Sequence, residues 1–352
     1  MRKVTLNIPN NEINIYIGDC LSLIKDFIDI KQKILVITDE NVCRLHLDEL
    51  KKVINIDYLF ILSSKPENNK TLDTYEKCID YALKNCINRN TTVIAFGGGA
   101  VSDFTGFFAS TYKRGMKLIN IPTTLLAHDS AIGGKNGLNF ANYKNIIGTF
   151  YQPQVILYHL PFLKTLPNNE ILSGFGEIIK HDLLADGYLL HEVLDSNKPL
   201  LEYFADLEVI EEIVYRAILV KKLYIEMDIY DLLGRRQFLN FGHTLGHALE
   251  VSYSLSHGEA ISFGMCFDLF LANNPLYKEL YKALKKWGYF NKIDFKLDDV
   301  ISLIKNDKKK TSAKIKFIGL KEIGNPYEIN ISIEEFKVKY LEYMRSINEI
   351  SW

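Results

Sequence analysis

The chain has 352 residues, of which 47% are apolar and 24% charged, and its formal net charge is −1. This length is enough for two domains with a buried core. The near-neutral balance excludes a global electrostatic attraction to nucleic acid or to a membrane surface, so any attraction for anions must be local.

Cysteine usage and the amino-terminal residues indicate the compartment. The five cysteines are scattered and have neither metal-binding nor disulfide spacing, which is typical of reduced thiols in a cytosol. The start, MRKVTLNIPNNE, lacks the apolar run of a signal peptide, and no stretch has the roughly 20 apolar residues of a membrane span. We therefore expect a soluble cytoplasmic protein with no nucleic-acid or membrane partner.

The first 160 residues alternate between strand-like and helix-like segments. Short apolar runs lie at 33–40, 91–99, 117–124 and 153–159, and a segment with helical periodicity lies at 73–86. Short, fully apolar strands between helices indicate a parallel sheet covered on both faces. We therefore predict an α/β domain with a parallel sheet over residues 1–160.

Two glycine-rich loops follow predicted strands in this domain. In AFGGGAVSDFTGF (95–107), glycines precede a predicted helix start, where backbone amides favour phosphate and Asp103 could hold a hydroxyl. The spacing is not the G-x-G-x-x-G dinucleotide pattern, so a tight structural turn is the alternative. The second loop, PTTLLAHDSAIGGKNGLN (122–139), places Thr123 and Thr124 at a strand's carboxyl end, where parallel sheets bind ligands. Two such loops favour a nucleotide pocket.

Long helical patterns dominate beyond residue 160. They cover ILSGFGEIIKHDLLAD (171–186), the segment 206–228 and the histidine-containing stretch RRQFLNFGHTLGHALE (235–250). We place a domain boundary within about ten residues of 160 and predict a helical domain over 161–352.

Three of the eight histidines fall within fifteen residues. His243 and His247 are four apart and share a predicted helix face, with Arg236 and Asn240 on or near it, while His257 is expected in a turn. Neutral imidazole is a common zinc ligand, and catalytic zinc takes three protein ligands and leaves one position open. The alternative is a set of hydrogen-bonded structural histidines.

A carboxylate candidate lies in SGFGEIIKHDLL (173–184). Glu177 and Lys180 are three residues apart and face the same way on a mostly apolar helix, so they could line a cleft. The alternative is a salt bridge on a wet surface. Several basic residues could together bind a small polyanion if the fold brings them into one cleft. They are Arg114, Lys135, Lys180, Lys221, Arg236 and Lys308–Lys310.

Taken together, these motifs resemble those of the 3-dehydroquinate synthase family of the shikimate pathway. The resemblance runs from TDENV (38–42) to DKK (307–309). It rests on GGGAVSDFTGF, TYKRG, IPTTLLAHDSAIGGK, KNIIGTFYQP, FLKTLP, EIIK, NFGHTLGHALE and HGEA, in this order. It implies a Rossmann-like amino-terminal domain, an all-helical carboxyl-terminal domain, and a site in the cleft between them for NAD and a divalent metal, zinc or cobalt.

The resemblance also implies the site residues. The metal ligands are Glu177, His243 and His257, and His247 contacts substrate, whereas helical spacing alone favours His243 with His247. The residues that match the family's NAD-binding positions are Asp39, Glu67, Lys70, Gly98, Gly99, Asp103, Thr123, Thr124, Lys144, Phe162, Thr165, Leu166 and Glu170. The residues that match its substrate-binding positions are Asp129, Lys135, Asn145, Lys180, Lys221, Arg236, Asn240, His247 and Lys308 or Lys309. Arg236 is chosen over Arg235 by its spacing to Asn240, because DIYDLLGRR is one residue longer than the family pattern. Arg114 is expected to reach the substrate phosphate of a neighbouring subunit, which implies a homodimer.

The implied reaction converts 3-deoxy-D-arabino-heptulosonate 7-phosphate, an anionic sugar phosphate, to 3-dehydroquinate and phosphate. It passes through transient oxidation by NAD, phosphate elimination, reduction and an intramolecular aldol step. One alternative is a metal-dependent NAD polyol dehydrogenase of the same architecture, which needs no phosphate-binding residues. The others are another sugar-phosphate cyclase, which would alter the substrate-facing residues, and a non-catalytic NAD-binding or scaffold protein, which needs no metal ligands.

Overall fold

The computed structural model describes residues 1–9, 11–29, 31–141, 143–195, 200–253, 255–290, 295–297, 300–301 and 314–350. They form two compact units. The first unit comprises Met1–Pro167 and Asp206–Tyr230, and the second comprises Asn168–Ala205 and Asp231–Trp352. The predicted substrate residues Lys308 and Lys309 lie outside the described residues.

Strands and helices alternate through most of the first unit, and helices prevail in the second. The strands are β1 Arg2–Ile8, β2 Asn11–Gly18, β3 Ile34–Asp39, β4 Tyr58–Leu62, β5 Thr92–Gly97, β6 Leu118–Pro122, β7 Lys135–Phe140, β8 Tyr143–Phe150, β9 Val155–His159, β10 Lys314–Leu320 and β11 Pro326–Ser332. The α-helices are α1 Glu40–Val53, α2 Leu72–Lys84, α3 Gly99–Thr111, α4 Ala127–Ser130, α5 Asn168–Leu183, α6 Tyr188–Asp195, α7 Leu200–Tyr203, α8 Leu207–Met227, α9 His243–Tyr253, α10 His257–Leu271, α11 Leu276–Lys286 and α12 Ile333–Asn348. Short 3-10 helices lie at Leu21–Phe27, Pro66–Asn69, Tyr112–Arg114, Leu160–Thr165 and Arg236–Asn240. Among the described residues, no helix combines the length and apolar character needed to cross a membrane.

The main sheet of the first unit has the strand order β1-β2-β9-β6-β5-β3-β4. The edge strand β1 is antiparallel to β2, and the other neighbouring pairs are parallel. Alternate side chains of the inner strands β3, β5, β6 and β9 are buried on opposite faces, which a parallel sheet requires when helices cover both. Leu35 and Val93 pack with Phe104 of α3 on one face, whereas Val36 and Ile94 pack on the other. The predicted α/β domain with a doubly covered parallel sheet is confirmed.

The sheet has a switch point between β3 and β5. The chain leaves β3 for β4 on one side and returns to β5 on the other, so loops at the carboxyl ends of β3 and β5 diverge. Such a divergence opens a crevice at which parallel sheets bind ligands. Asp39 ends β3, Gly97 ends β5 and Pro122 ends the next strand, β6.

Helix α8 belongs to the first unit, although the single predicted boundary near 160 assigned it to the carboxyl-terminal domain. It covers the hairpin β1–β2, burying Ile213, Val214 and Ile218. Polar contacts join the same surfaces, since the Met1 ammonium lies 3.0 Å from Glu211 and Asn7 N lies 2.7 Å from a Glu226 oxygen. This difference has a physical reason, because helical periodicity indicates an apolar face but not which sheet will cover it.

The second unit is mainly helical, as predicted, but it is not all-helical. β10 and β11 form an antiparallel hairpin with Lys314 opposite Ser332 and Leu320 opposite Pro326. The turn contains Gly324, whose φ of 78° lies in the left-handed region that favours glycine. The inward side chains Ile315 and Phe317 of β10 are buried at period two, a strand pattern that the helical prediction overlooked.

Candidate functional site

The two glycine-rich loops of the first unit pack against each other at the carboxyl edge of the sheet. Gly98 caps the amino terminus of α3 without a side-chain hydrogen bond. A Cβ at Gly98 would lie 2.9 Å from Thr124 Cγ2, and one at Gly99 would lie 2.4 Å from Ser130 Oγ. The glycines are therefore required by the packing of these loops, and the first amides of α3 remain without a side-chain cap.

Two predicted cofactor residues lie at the carboxyl ends of β3 and β6, the strands on either side of β5. Asp39 is buried and caps α1, where its carboxylate accepts hydrogen bonds from Asn41 N at 2.9 Å and Val42 N at 3.1 Å. Burial raises the pKa of Asp39 above its ordinary value. Thr123 follows β6, and its buried hydroxyl has no hydrogen-bond partner among the described residues. An orphaned hydroxyl at a ligand-binding edge fits a polar ligand.

Lys70 is the centre of a polar network in this unit. Its side chain is only 2% exposed, and Nζ lies 2.7 Å from Asp103 Oδ2, 2.5 Å from Asn145 Oδ1 and 3.6 Å from Glu67 Oε2. Asn139, which the sequence reasoning missed, donates to Glu67 Oε1 at 2.9 Å and accepts from Asn145 N at 2.9 Å. Burial raises the pKa of Asp103 to about 6, although the Lys70 ammonium opposes the shift. Three predicted NAD residues and one predicted substrate residue thus share one cluster.

Lys221 and Asp129 form a second predicted pair in the first unit. Lys221 on α8 is buried, and its Nζ lies 2.9 Å from Asp129 Oδ1 and also contacts the Asp129 carbonyl. This pair attaches α8 to the short helix α4 after β6. Through this pair, a predicted substrate residue on α8 contacts a predicted substrate residue on α4 within the sheet-containing unit.

The other predicted basic residues of the first unit are exposed. Lys135 begins β7, and Lys144 lies on β8, in the hairpin that also presents Asn145. Arg114 follows Lys113 in the left-handed region, with φ values of 64° and 52°. Non-glycine residues in this region cost on the order of 1 kcal/mol or more each, and such strain clusters at functional sites.

The segment that follows β9 carries the remaining predicted NAD residues. The Phe162 side chain is buried in the core, with ring centroids 4.6 Å from both His46 and His159, so only its backbone is available to a ligand. Thr165 Oγ1 lies 2.8 Å from His46 Nε2. Leu166 is half-buried, and Glu170 lies on α5 in the second unit, where burial raises its pKa.

The second unit brings together the three predicted metal ligands. Glu177 Oε1 lies 3.0 Å from His257 Nε2 and 3.3 Å from His243 Nε2. Their donor atoms all lie within 4.8 Å of one another, and Glu177 is fully buried. One carboxylate oxygen and two imidazole nitrogens form a common catalytic zinc ligand set, so these residues fit a divalent metal.

Hydrogen bonds at Nδ1 orient the imidazoles of His243 and His257 so that both Nε2 atoms face Glu177. His243 Nδ1 lies 3.1 Å from the Phe241 carbonyl, and His257 Nδ1 lies 3.1 Å from Glu250 Oε2. A carbonyl and an ionised carboxylate can only accept, so both Nδ1–H groups donate. Sequence reasoning missed Glu250, although it ends the motif NFGHTLGHALE.

The buried charges around Glu177 set its protonation. Burial by itself would raise the pKa of Glu177, but the Lys180 ammonium and the two imidazoles hold it well below its usual range. Burial lowers the pKa of His243. Burial acts in the same direction on His257, but its hydrogen bonds to Glu177 and Glu250 raise its pKa to about 9. Glu177 is thus ionised and can act as an oxygen ligand.

Glu177 and Lys180 pair within α5, as the helical spacing predicts. The alternative of a salt bridge on a wet surface is wrong, because Glu177 is 0% exposed and Lys180 is 1% exposed. A buried charged pair on an otherwise apolar helix is costly unless neighbouring groups stabilise it. Here the two imidazoles flank the carboxylate.

A glycine adjoins each of the three predicted ligands. Gly176 precedes Glu177, Gly242 precedes His243 and Gly258 follows His257. A Cβ at Gly176 would lie 2.6 Å from the Gly258 carbonyl oxygen, and one at Gly242 would lie 2.6 Å from the Ile261 carbonyl oxygen. Bare backbone contacts between α5, α9 and α10 therefore bring the ligands within reach of one another.

The structure corrects two local predictions around the histidines. Gly242 has a φ of 80° and separates α9 from the 3-10 helix Arg236–Asn240, so Arg236 and Asn240 do not continue the helix of His243 and His247. His257 is not in a turn but begins α10, with Ser256 as the N-cap. Arg236 is buried, whereas Arg235, Asn240 and His247 are exposed.

His247 lies close to the predicted ligands, but its donor atoms do not group with Glu177. Its ring centroid lies 5.1 Å from His243 and 6.0 Å from His257. Its donor atoms group with Glu250 and His257 instead. The spacing-based pair of His243 with His247 is therefore not the group that surrounds Glu177.

Comparisons with known proteins bear on the family. Two family models match, described as 3-dehydroquinate synthase N-terminal over residues 60–173 and 3-dehydroquinate synthase C-terminal over residues 174–310. The chain is 36% identical over 354 residues to a 3-dehydroquinate synthase of Bacillus cytotoxicus, covering 94% of each chain.

Solved structures of other enzymes share the fold. The 2-epi-5-epi-valiolone synthase of Streptomyces hygroscopicus, solved with NAD⁺ and Zn²⁺, has a TM-score of 0.82 at 22% identity, covering 97% of this chain and 99% of that one. A 2-deoxy-scyllo-inosose synthase solved with carbaglucose-6-phosphate, NAD⁺ and Co²⁺ has a TM-score of 0.81 at 22% identity, with the same coverage. The matches to both family models and to the full-length relative agree, and the chain therefore belongs to the 3-dehydroquinate synthase family.

Proposed function

We propose that the chain is a phosphate-eliminating lyase that converts 3-deoxy-D-arabino-heptulosonate 7-phosphate to 3-dehydroquinate and phosphate. The observation that carries the proposal is the match over 94% of the chain to a 3-dehydroquinate synthase. The convergence of Glu177, His243 and His257 supports it from the structure. A homodimer in the cytoplasm is part of the proposal, and the five unpaired cysteines agree with a reducing compartment.

The proposed site residues bind the metal, the cofactor or the substrate, and the metal-binding residues come first. When bound, a divalent metal supplies Lewis acidity and NAD supplies a reversible hydride acceptor. Glu177, His243 and His257 would hold the metal through one oxygen and two nitrogens. Lys180, paired with Glu177, keeps this carboxylate ionised and places a positive charge beside the ligand set.

The cofactor residues lie mainly at the carboxyl edge of the sheet. The first amides of α3, free of a side-chain cap, suit the diphosphate of NAD. Asp39, Asp103 and Thr123 offer oxygens for hydroxyl groups. The other proposed cofactor residues are Glu67, Lys70, Gly98, Gly99, Thr124, Lys144, Phe162, Thr165, Leu166 and Glu170.

The substrate residues supply positive charge and hydrogen bonds. A carboxylate and a phosphate on the substrate call for bidentate arginines and point-charge lysines. The proposed cationic residues are Arg114, Lys135, Lys180, Lys221 and Arg236, with Lys308 or Lys309 outside the described residues. Asp129, Asn145, Asn240 and His247 complete the set. Holding the substrate in one orientation lets elimination and ring closure follow in one site.

A polyol dehydrogenase and another sugar-phosphate cyclase are the competing functions. The dehydrogenase has no use for the buried Arg236 and the strained Arg114 as anion-binding residues. The two solved cyclases reach only 22% identity, against 36% for the synthase relative. The anion-binding residues and the higher identity therefore favour the synthase over the two competing functions.

Purified protein with catalytic NAD should release phosphate from the heptulosonate phosphate without net accumulation of NADH. The reason is that substrate and products have the same overall oxidation state, so NAD would be needed only in catalytic amounts. Chelator should abolish phosphate release, and zinc or cobalt should restore it. Phosphate assay and absorbance of NADH, followed together, make the measurement.

Stoichiometric NADH from a polyol without phosphate release would support the dehydrogenase instead. Phosphate release from a different sugar phosphate, with none from the heptulosonate phosphate, would support another cyclase. A chain that retains phosphate release after complete metal removal would contradict the assigned metal dependence.

A further inference from the structure

Glu250 is an acidic residue beside the metal ligands that has no part in the proposed reaction steps. It lies on α9, seven residues before His257, and its side chain is largely shielded from solvent. Glu250 Oε2 lies 3.1 Å from His257 Nδ1, while His257 Nε2 lies 3.0 Å from Glu177 Oε1. The imidazole of His257 is therefore held at both nitrogens by carboxylates.

The two histidine ligands are supported in different ways. His243 Nδ1 donates to the Phe241 carbonyl, a backbone group two residues away. His257 Nδ1 donates to a side chain from another helix, which carries a full negative charge. A carboxylate behind a ligating imidazole fixes its tautomer and ring orientation and increases its basicity as a ligand.

We propose that Glu250 is a positioning residue for the metal centre, which orients His257 and strengthens binding of a divalent cation. The inference rests on the proposed function in that Glu177, His243 and His257 hold the metal. Glu250 acts through His257, and its carboxylate stabilises the imidazole ligand without belonging to the group that surrounds Glu177.

Charge explains why Glu250 would strengthen binding of a cation. The Glu250 carboxylate lies behind the His257 ring, on the side opposite Glu177. A divalent cation held by His257 would be attracted to this negative charge through the ring. Replacing the carboxylate by a neutral group therefore weakens cation binding. Loss of such a partner typically costs 10–100-fold in metal affinity.

The hydrogen bond also joins α9 to α10, so a structural role must be separated from a positioning role. Glu250→Gln keeps a carbonyl acceptor of nearly the same shape and removes the charge. Glu250→Ala removes both. Glu322→Gln is the matched control, because Glu322 is an exposed acid of the same unit that belongs to none of the groups of possible metal ligands among the described residues.

Zinc affinity of the full-length, metal-free protein is measured by competition with a chromophoric chelator. We expect Glu250→Gln to bind zinc about 10-fold more weakly and Glu250→Ala up to about 100-fold more weakly, with Glu322→Gln unchanged. The visible absorption of the cobalt-loaded protein should change in shape for Glu250→Ala, because the ligand field reports the orientation of His257. Thermal unfolding of the metal-free proteins records any purely structural loss.

Zinc affinities of both Glu250 variants within twofold of the parent protein would overturn the proposal, even if their metal-free stability falls. Failure of the proposed function gives a different result. In that case the parent protein binds zinc but releases no phosphate from the heptulosonate phosphate, and the comparison of affinities still stands.

Discussion

At the scale of single residues, burial decides which groups carry charge. Asp103 and Glu177 are both shielded carboxyls next to a lysine, yet their pKa values shift in opposite directions. Asp103 is paired with the Lys70 ammonium, whose attraction does not offset burial. Glu177 has Lys180 and two imidazoles, which together exceed the cost of burial. The balance between burial and the neighbouring ammonium and imidazole groups, and not the residue type, determines the direction of each pKa shift.

Asp103 should therefore make stability depend on pH. Its folded-state pKa of about 6 lies above the ordinary value of 3.8, so between these values the folded state binds more protons than the unfolded state. The free energy of unfolding must fall as pH rises through that window. Asp103→Asn removes this dependence. Its free energy of unfolding relative to the parent should rise by about 1–3 kcal/mol between about pH 4 and about pH 7.

Urea unfolding of metal-free protein at several pH values measures this difference. Lys70→Met provides a second variant, because loss of the opposing ammonium should move the pH-dependent loss of stability to higher pH. A difference between Asp103→Asn and the parent that stays constant across the window would show that the carboxyl is not perturbed in the folded protein.

At the scale of elements, the ends of helices matter more for the site than their lengths. Gly242 stops the 3-10 helix Arg236–Asn240 and starts α9 at His243, and its amide donates to Asp268 Oδ2 at 2.7 Å. Its backbone approaches α10 so closely that a Cβ would lie 2.9 Å from Met265 N. The break places His243 at the first position of α9, next to the start of α10.

Gly242→Ala should destabilise the protein severely. The left-handed φ alone costs a non-glycine residue about 1–2 kcal/mol, and the new Cβ would in addition collide with the backbone of α10. Gly288→Ala is the matched control, because Gly288 also has a positive φ of 94° but nothing lies within 4 Å of its Cβ position. The control should lose only about 1–2 kcal/mol.

Denaturant unfolding of both metal-free variants, with zinc affinity as a second measurement, tests this contrast. We expect Gly242→Ala to lose several kcal/mol, or its folded state, and to bind zinc weakly, whereas the control keeps its affinity. Equal losses for the two variants would mean that the contact between α9 and α10 has room for a methyl group.

At the scale of the whole molecule, the chain crosses between units three times. It enters the second unit at Asn168, returns at Asp206 and leaves the first unit again after Tyr230. Helix α8 therefore ties a predicted substrate residue, Lys221, to the sheet-containing unit. The proposed homodimer adds a further level, since Arg114 is expected to serve a neighbouring subunit.

Complementation between two defective subunits tests that expectation. Arg114→Ala removes a proposed phosphate-binding residue, and His257→Ala removes a proposed metal ligand, so each homodimer should be inactive. A heterodimer of the two has one site with His257 in place and Arg114 supplied by the other subunit. Purified through two different tags, it should show about half the parent activity, since one of its two sites is complete.

A heterodimer without activity would place Arg114 in the site of its own chain. A parent protein that stays monomeric on sedimentation would contradict the homodimer itself. The heterodimer of parent and His257→Ala subunits controls for damage caused by tagging and mixing.

The sequence by itself determined the covered parallel sheet of the first unit, and it supplied the proposed set of site residues. Short apolar strands such as those at 33–40 and 91–99 predict a doubly covered parallel sheet, because every side chain in them must be buried. The family resemblance of the motifs around Glu177, His243 and His257 implies that these residues are metal ligands, whereas helical spacing alone favours His243 with His247. Each of these motifs and strands lies within a few residues along the chain.

Only the tertiary structure decided which distant groups meet. It assigned α8 to the sheet, interrupted the predicted helical stretch 235–250 at Gly242 and brought Glu250 to His257. It also buried Lys180 beside Glu177 and gathered Asp103 and Asn145 around Lys70. These outcomes depend on close backbone contacts and on the burial of charge between segments far apart in sequence. Local periodicity and spacing cannot predict such contacts, because they describe one segment at a time.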